Sequence, residues 1–270
     1  MINLFLEAVF IFILFLFFGS FIGVVVERVI KKKKFITSRS YCDNCKHTLS
    51  PLDLVPILSF VFLGGRCRYC RKKISSNLVL IELITAFLGL IYYYSSLKDA
   101  VTRLYLSLDI ISLATVLLLF LLFIILMSIF FVDYFYMVIP LNFFIILFIT
   151  LLFLFFLEYF NISDSQMKGF LVDKMYGFAF MFTAFVFLYF ITKGNGMGEG
   201  DVVLASVLGL YVGLYGAYLI WFISFLTGGI VGVILLLKGK KLEYKLAFGP
   251  FLVLGYIFLA LFEEYFYRIL

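Results

Sequence analysis

Long apolar runs separated by short polar segments dominate the pattern of this chain. We count about eight runs of roughly 20 residues, the length that an α-helix needs to cross a bilayer. The first run is too long for the apolar part of a signal peptide, so we expect it to stay as a span. The pattern predicts an all-α polytopic membrane protein with spans near residues 5–27, 78–96, 104–131, 141–159, 173–192, 202–217, 219–237 and 247–266.

Composition supports a membrane protein. The chain is 65% hydrophobic, with 37 phenylalanines and a mean hydropathy of +1.16. A soluble domain of 270 residues could not bury so much apolar surface. The net charge of +6 lies in a few clusters that indicate topology, so we expect a lipid bilayer around the chain and no nucleic-acid partner.

The distribution of Lys and Arg predicts the orientation. With the N-terminus outside, the cytoplasmic segments hold 17 of the 22 basic residues and the outside segments hold five. Cytoplasmic loops carry an excess of Lys and Arg, so both termini are predicted outside. Asp133 and Asp201 then both fall at cytoplasmic ends of spans, where they can meet. The predicted cytoplasmic segments are 28–77, 132–140, 193–201 and 238–246.

All four cysteines lie in the polar segment 28–77, between a first helix at 1–27 and a membrane core at 78–270. They form two C-x-x-C pairs, typical of a tetrahedral zinc site, with Cys42, Cys45, Cys67 and Cys70 as ligands. The 21 residues between the pairs slightly exceed the usual range. Two disulfides are the alternative, which a reducing cytoplasm disfavours. Because the segment has too little apolar content for its own core, we expect a structural zinc ion to stabilise a small cytoplasmic domain.

Two other features of this domain carry expectations. His47 is the single histidine of the chain, and we expect a solvated loop residue rather than a metal ligand. The run 51–63, between the two cysteine pairs, is more apolar than its surroundings and is expected to lie on the membrane surface.

Acidic residues in or beside spans are candidates for function. Glu158 and Asp173 lie near predicted outer ends, where they can reach water. Glu82 is expected to pair with a basic residue of the cysteine domain. Asp133 has no basic residue close to it in sequence, and it is either a functional carboxylate or a loop residue before the helix that Pro140 begins.

The run 194–201 is polar and rich in glycine, and it ends on Asp201. It could be a loop with Asp201 as a helix cap. Alternating glycines also let a backbone approach and pair with an extended peptide, so Gly196, Gly198 and Gly200 are candidate substrate-binding residues.

Two aspartates brought together would share a proton, the arrangement that activates water for peptide hydrolysis. From these residues alone, two alternatives stay open. One is a transporter that uses Asp133 and Asp201 as a cation site, and the other is a membrane assembly factor without enzymatic activity.

Several motifs, in order and over nearly the whole chain, resemble those of the type IV prepilin peptidases, membrane aspartyl proteases of the GxGD class. They are Gly19-Ser20-Phe21-Ile22, Ser38-Arg39-Ser40-Tyr41-Cys42, Leu54-Val55-Pro56-Ile57-Leu58-Ser59, Gly65-Arg66-Cys67-Arg68-Tyr69-Cys70, Leu80-Ile81-Glu82-Leu83-Ile84-Thr85, Val132-Asp133 with Ile139-Pro140, Gly196-Met197-Gly198-Glu199-Gly200-Asp201 and Phe248-Gly249-Pro250-Phe251.

The resemblance implies that Asp133 and Asp201 are the catalytic pair. It implies pilin or pseudopilin precursors as substrates, cleaved after a glycine on the cytoplasmic side of a bacterial inner membrane. N-methylation of the new N-terminus with S-adenosylmethionine is implied too, although segment 28–77 contains no glycine-rich nucleotide motif. Two positions differ from the family: Leu141 stands where an acidic residue is frequent, and Val203 where Lys is usual.

Overall fold

The computed structural model describes residues 2–30, 40–42, 44–160, 163–194, 196–239 and 246–267. Within these ranges the chain is helical, and its β-structure consists of two isolated bridges. The helices are α1 (Ile2–Ile30), α2 (Leu58–Phe62), α3 (Asn77–Tyr92), α4 (Lys98–Ser107), α5 (Ile110–Tyr136), α6 (Leu141–Phe160), α7 (Asp164–Ile191), α8 (Glu199–Leu237) and α9 (Gly249–Tyr267). A 3₁₀ turn covers Pro51–Leu54, and a π-helical turn covers Tyr93–Leu97.

The all-α fold class is confirmed, and the chain is a multi-pass membrane protein. Six stretches of the described residues are helical, long and apolar enough to cross a membrane, and α8 alone has 39 residues. A break at Gly213 divides α8 into two segments, so the count fits the predicted eight when α9 is included. The boundary between the sixth and seventh runs was predicted near residue 218, five residues after the break.

The chain divides into two compact units, Met1–Tyr93 and Tyr94–Leu270. In the first unit, α1 packs closely on α3. A Cβ atom on Gly89 would overlap the ring of Phe15, and one on Gly19 would lie 2.7 Å from the Cα of Glu82. Glycine at both positions therefore permits a helix contact that a side chain would block.

Glu82 is buried in this contact, and its partner differs from the prediction. Its Oε2 atom accepts a hydrogen bond from the backbone N–H of Ile57 at 2.8 Å, and the Ser20 side chain is a further donor. Glu82 was expected to pair with a basic residue of the cysteine domain. It binds instead to the backbone of the segment between the two cysteine pairs.

In the second unit, α5 lies at the centre and is almost fully buried from Leu122 to Asp133. Helices α7 and α8 approach each other through glycine, since a Cβ atom on Gly177 would overlap the carbonyl oxygen of Gly209. Helix α9 packs on both α8 and α5. The C-terminal end of α5 and the N-terminal end of α8 are thereby held against the start of α9.

The break in α8 is stabilised by consecutive residues of α7. Gly213 has φ 81° and ψ −179°, a conformation that is essentially restricted to glycine. Leu214 donates its freed N–H to Asp173 Oδ1 at 3.1 Å, and the Lys174 ammonium donates to the freed carbonyl of Tyr211. Non-helical backbone within a membrane persists only where such partners are present.

Glu158 of α6 completes this cluster. Its Oε2 atom lies 3.5 Å from Lys174 Nζ, and its Oε1 atom accepts a hydrogen bond from the Tyr211 hydroxyl at 3.1 Å. Glu158 and Asp173 were expected near outer ends, where they reach water. In the structure, both side chains bind groups that hold the break in α8.

We expect the variant Asp173→Leu to destabilise the protein by about 1–3 kcal/mol, because it leaves the Leu214 N–H without its acceptor. The free energy of unfolding in mixed micelles measures the effect. Asp173→Asn is the matched control, since the amide oxygen can still accept the bond. Equal stability of the Leu variant and the wild type would contradict the assigned contact.

Candidate active site

Asp133 lies in the last turn of α5 and is 5% exposed. It is therefore a helical residue, and the alternative of a loop carboxylate before α6 is wrong. The helix ends at Tyr136, and its cap residue Met137 adopts a left-handed conformation and donates its N–H to the Asp133 carbonyl at 2.8 Å. The Asp133 side chain accepts a hydrogen bond from the backbone N–H of Gly249 at 2.9 Å.

Asp201 lies in the first turn of α8 and is 8% exposed. Gly198, rather than Asp201, is the cap residue of this helix. Asp201 reaches back and accepts a hydrogen bond from the Gly198 N–H at 3.1 Å.

The Gly249 amide connects the two carboxylates. It donates to Asp133, it also interacts with Asp201, and the two carboxylates are close enough for direct electrostatic interaction. When two buried carboxyl groups interact in this way, one of them keeps its proton, because two neighbouring negative charges are unfavourable at low dielectric. The pair therefore offers one proton acceptor and one proton donor side by side.

The three candidate substrate-binding glycines differ in conformation. Gly196 and Gly198 precede α8 in non-helical backbone, with Gly196 packed against the Thr192 side chain. Gly200 lies in the first helical turn. An extended peptide could pair with the backbone near Gly196 and Gly198, whereas the backbone of Gly200 is helical. Asn195, inside this run, is outside the described residues.

The cysteine pairs form two knuckles of the same structure, offset by 25 residues. In the first, Cys42 donates its N–H to the His47 carbonyl, and Tyr41 bridges to Thr48. In the second, the corresponding bond runs from Cys67 to Lys72, at nearly the same length, and the corresponding bridge joins Arg66 to Lys73. The residue after the last cysteine of each knuckle has φ 58°.

The knuckles bring together four free cysteines that could hold a metal ion. The four Sγ atoms all lie within 4.8 Å of one another. The Lys72 backbone N–H and the Asn44 side chain lower the pKa of Cys70 to about 6, which favours its thiolate form. Several thiolates this close together need a cation to offset their repulsion. His47 is exposed and stacks on Tyr69 at 3.6 Å, as expected of a residue that is not a ligand.

The chain is similar in sequence to known proteins. Residues 13–96 match the Bacterial Peptidase A24 N-terminal domain, and residues 117–233 match the Type IV leader peptidase family. A Bacillus subtilis protein named prepilin leader peptidase/N-methyltransferase is 32% identical, with 94% of each chain covered. The chain belongs to the type IV prepilin peptidase family.

Other relatives of this prepilin peptidase family member have the same name. The Aeromonas salmonicida protein is 27% identical over 91% of this chain and 87% of its own length. The Pseudomonas aeruginosa protein is 26% identical over 88% of this chain and 84% of its own. No solved structure matches the chain.

Gly249 is the site residue that reasoning from sequence did not assign. The motif around it contributes to the family resemblance, but its role depends on α9 packing against α5, which sequence spacing cannot show. A Cβ atom on Gly249 would lie 2.7 Å from Asp133 Oδ2, so the carboxylate occupies the space that a side chain would need.

We expect Gly249→Ala to lower kcat by about 10²-fold, since a displacement of roughly 1 Å in a reacting group has an effect of that size. Cleavage of a precursor peptide under saturating conditions measures it. Gly232→Ala is the matched control, because a Cβ there would meet nothing within 4 Å. A normal kcat for Gly249→Ala would exclude close packing of this backbone against Asp133.

Proposed function

We propose that this protein is an aspartyl endopeptidase that removes the leader from pilin or pseudopilin precursors. The observation that carries the proposal is the meeting of two buried carboxylates, Asp133 and Asp201, at the Gly249 amide. The family and the names of the relatives give the substrate class.

The proposed mechanism needs no covalent intermediate. The ionised aspartate takes a proton from water, and the oxygen of that water attacks the carbonyl carbon of the scissile bond. The neutral aspartate donates its proton to the carbonyl oxygen. When the tetrahedral intermediate collapses, one of its hydroxyl groups returns a proton to the carboxyl pair and becomes the new carbonyl oxygen. The C–N bond breaks and the amine leaves with a proton from the pair, so one proton remains and the shared-proton state is regenerated.

We further propose how the substrate reaches this pair. The precursor enters with its leader in the cytoplasm and is cut after a glycine at the surface of the bacterial inner membrane. Of the candidate glycines, Gly196 and Gly198 are proposed to pair with the substrate backbone, and Gly200 is proposed to adjoin the substrate from the first turn of α8. Both termini of the protein are proposed to lie outside. The domain division remains a proposal too: a first helix at 1–27, a cysteine domain at 28–77 and a protease core at 78–270.

Zinc is the proposed metal of the cysteine cluster. A tetrahedral site with Zn–S bonds of about 2.3 Å has sulfurs about 3.8 Å apart, and Cys42 Sγ lies 3.8 Å from Cys70 Sγ. The donor set therefore fits zinc. Four thiolates complete its coordination, so the role proposed for the ion is structural.

N-methylation of the new N-terminus, with S-adenosylmethionine as methyl donor, is proposed from the names of the relatives. When bound, this cofactor supplies an electrophilic methyl group. Among the described residues we find no group of side chains that fits it, so we assign no residue to this step.

Incubation of the purified protein with a precursor, in detergent and without an ion gradient, tests the function. Mass spectrometry is expected to show loss of the leader, and a further methyl group when S-adenosylmethionine is added. An intact leader would reject the peptidase and favour an assembly factor. Activity that requires an ion gradient would favour a cation transporter.

A further inference from the structure

The segment between the two cysteine knuckles exposes a cluster of large apolar side chains. On the short helix α2, Phe62 is 84% exposed, Val61 65% and Leu58 54%. Phe60 faces the domain instead, since a Cβ on Gly65 would lie only 2.9 Å from its ring. In a small polar domain, an exposed apolar cluster of this kind marks a surface that binds a membrane, a ligand or another protein.

Basic side chains follow this cluster directly in the chain. Gly65 donates its N–H to the Phe60 carbonyl at 2.8 Å, so the chain turns back at the end of α2 and leads into Arg66. Arg66 bridges to Lys73, and both side chains are exposed. Like charges opposite each other across such a bridge are unfavourable by themselves. Within the described ranges neither has an acidic partner, so this positive charge is available to an external anion.

The attachment of the cysteine domain at both of its ends keeps this surface close to the membrane. The apolar helix α1 ends at Ile30 and the apolar helix α3 begins at Asn77, so the domain is attached to spans on both sides. Apolar side chains at a membrane surface enter the boundary between headgroups and acyl chains. Anionic headgroups attract basic residues next to a span.

We propose that a docking face formed by Leu58, Val61, Phe62, Arg66 and Lys73 binds the surface of an anionic phospholipid bilayer. The apolar side chains enter the acyl boundary, and the two cations contact headgroup phosphates. A substrate segment is the other candidate occupant, but a basic leader would be repelled by Arg66 and Lys73. The proposal does not depend on the peptidase activity.

A single tryptophan on the docking face reports its position. The chain has one tryptophan, Trp221, so Phe62→Trp is made together with Trp221→Phe. The full-length protein is placed in nanodiscs with brominated acyl chains, either of phosphatidylcholine alone or with phosphatidylglycerol. We expect bromine to quench the fluorescence of the introduced indole strongly in the anionic discs and weakly in the neutral ones.

Two variants test the contribution of charge. Arg66→Gln with Lys73→Gln is expected to weaken docking about fivefold for each charge removed, with a matching loss of quenching. Arg66→Tyr with Lys73→Thr copies the corresponding positions of the first knuckle, Tyr41 and Thr48, and therefore suits the same backbone. The zinc content verifies that each variant retains the metal site.

Thr48→Trp, also combined with Trp221→Phe, is the matched control, because Thr48 is exposed on the first knuckle at the position that corresponds to Lys73. It is expected to remain unquenched. Equal quenching of the Phe62→Trp protein in both kinds of disc, or quenching that persists in the charge variants, would overturn the proposal. The proposal would also be overturned if bromine left the indole at position 62 unquenched and a precursor peptide shielded it from aqueous iodide. That result would identify a substrate-binding surface.

Discussion

Asp133→Asn and Asp201→Asn are each expected to lower kcat for precursor cleavage by about 10⁴-fold, the upper range for loss of a general acid or base. Either change removes one carboxyl group from the pair that shares a proton. An amide cannot take the proton of the attacking water, and it cannot cycle between donor and acceptor. The double variant is expected to be little worse than either single variant, since the two residues act as a unit.

The side chain of Asn has nearly the size of Asp, so these variants keep the packing at the ends of α5 and α8. In Asp133→Asn, the Gly249 N–H can still donate to the amide oxygen of the new side chain. Unchanged binding of the precursor, measured separately from turnover, would show that the loss lies in chemistry. A variant that cleaves at the wild-type rate would exclude its aspartate from the mechanism.

Cys42→Ser with Cys67→Ser is expected to remove the metal and unfold the cysteine domain. One ligand is lost from each knuckle, and binding of structural zinc contributes about 10–16 kcal/mol to such sites. This exceeds the stability of many domains, about 5–15 kcal/mol. Elemental analysis should show about one zinc per wild-type chain and none in the variant, and hydrogen exchange should show loss of protection around residues 40–49 and 65–74.

His47→Ala is the matched control for this experiment. His47 belongs to the first knuckle, but its ring stacks on Tyr69, so zinc content should stay at the wild-type level. Retained zinc in the double cysteine variant would reject the four-cysteine site. Loss of zinc in the His47 variant would make the histidine a ligand.

Local sequence patterns predicted the features that depend on local geometry. The two C-x-x-C pairs indicate a metal site because each knuckle is closed by hydrogen bonds within about eight residues, and the same bonds recur at an offset of 25. Apolar runs predicted the helices because a bilayer requires about 20 residues to be crossed. The distribution of Lys and Arg alone predicted that Asp133 and Asp201 lie at the same side of the membrane.

Features that depend on tertiary contacts were not predictable from these patterns. The break at Gly213 lies inside the predicted span 202–217, and it is held by Asp173 and Lys174, about 40 residues earlier in the chain. Glu82 binds a backbone N–H 25 residues away, where charge alone suggested a basic partner. The contact of Gly249 with Asp133 spans 116 residues.

The break in α8 makes the position of Asp201 independent of the thickness of the bilayer. An unbroken helix of 39 residues would be about 58 Å long, against a hydrocarbon core of about 30 Å. Such a helix would have to tilt steeply, and its tilt would change with lipid length. Because Gly213 interrupts it, the segment after the break can change its tilt while the segment that carries Asp201 keeps its register against α5 and α9. Turnover should therefore vary little among bilayers of different acyl-chain length.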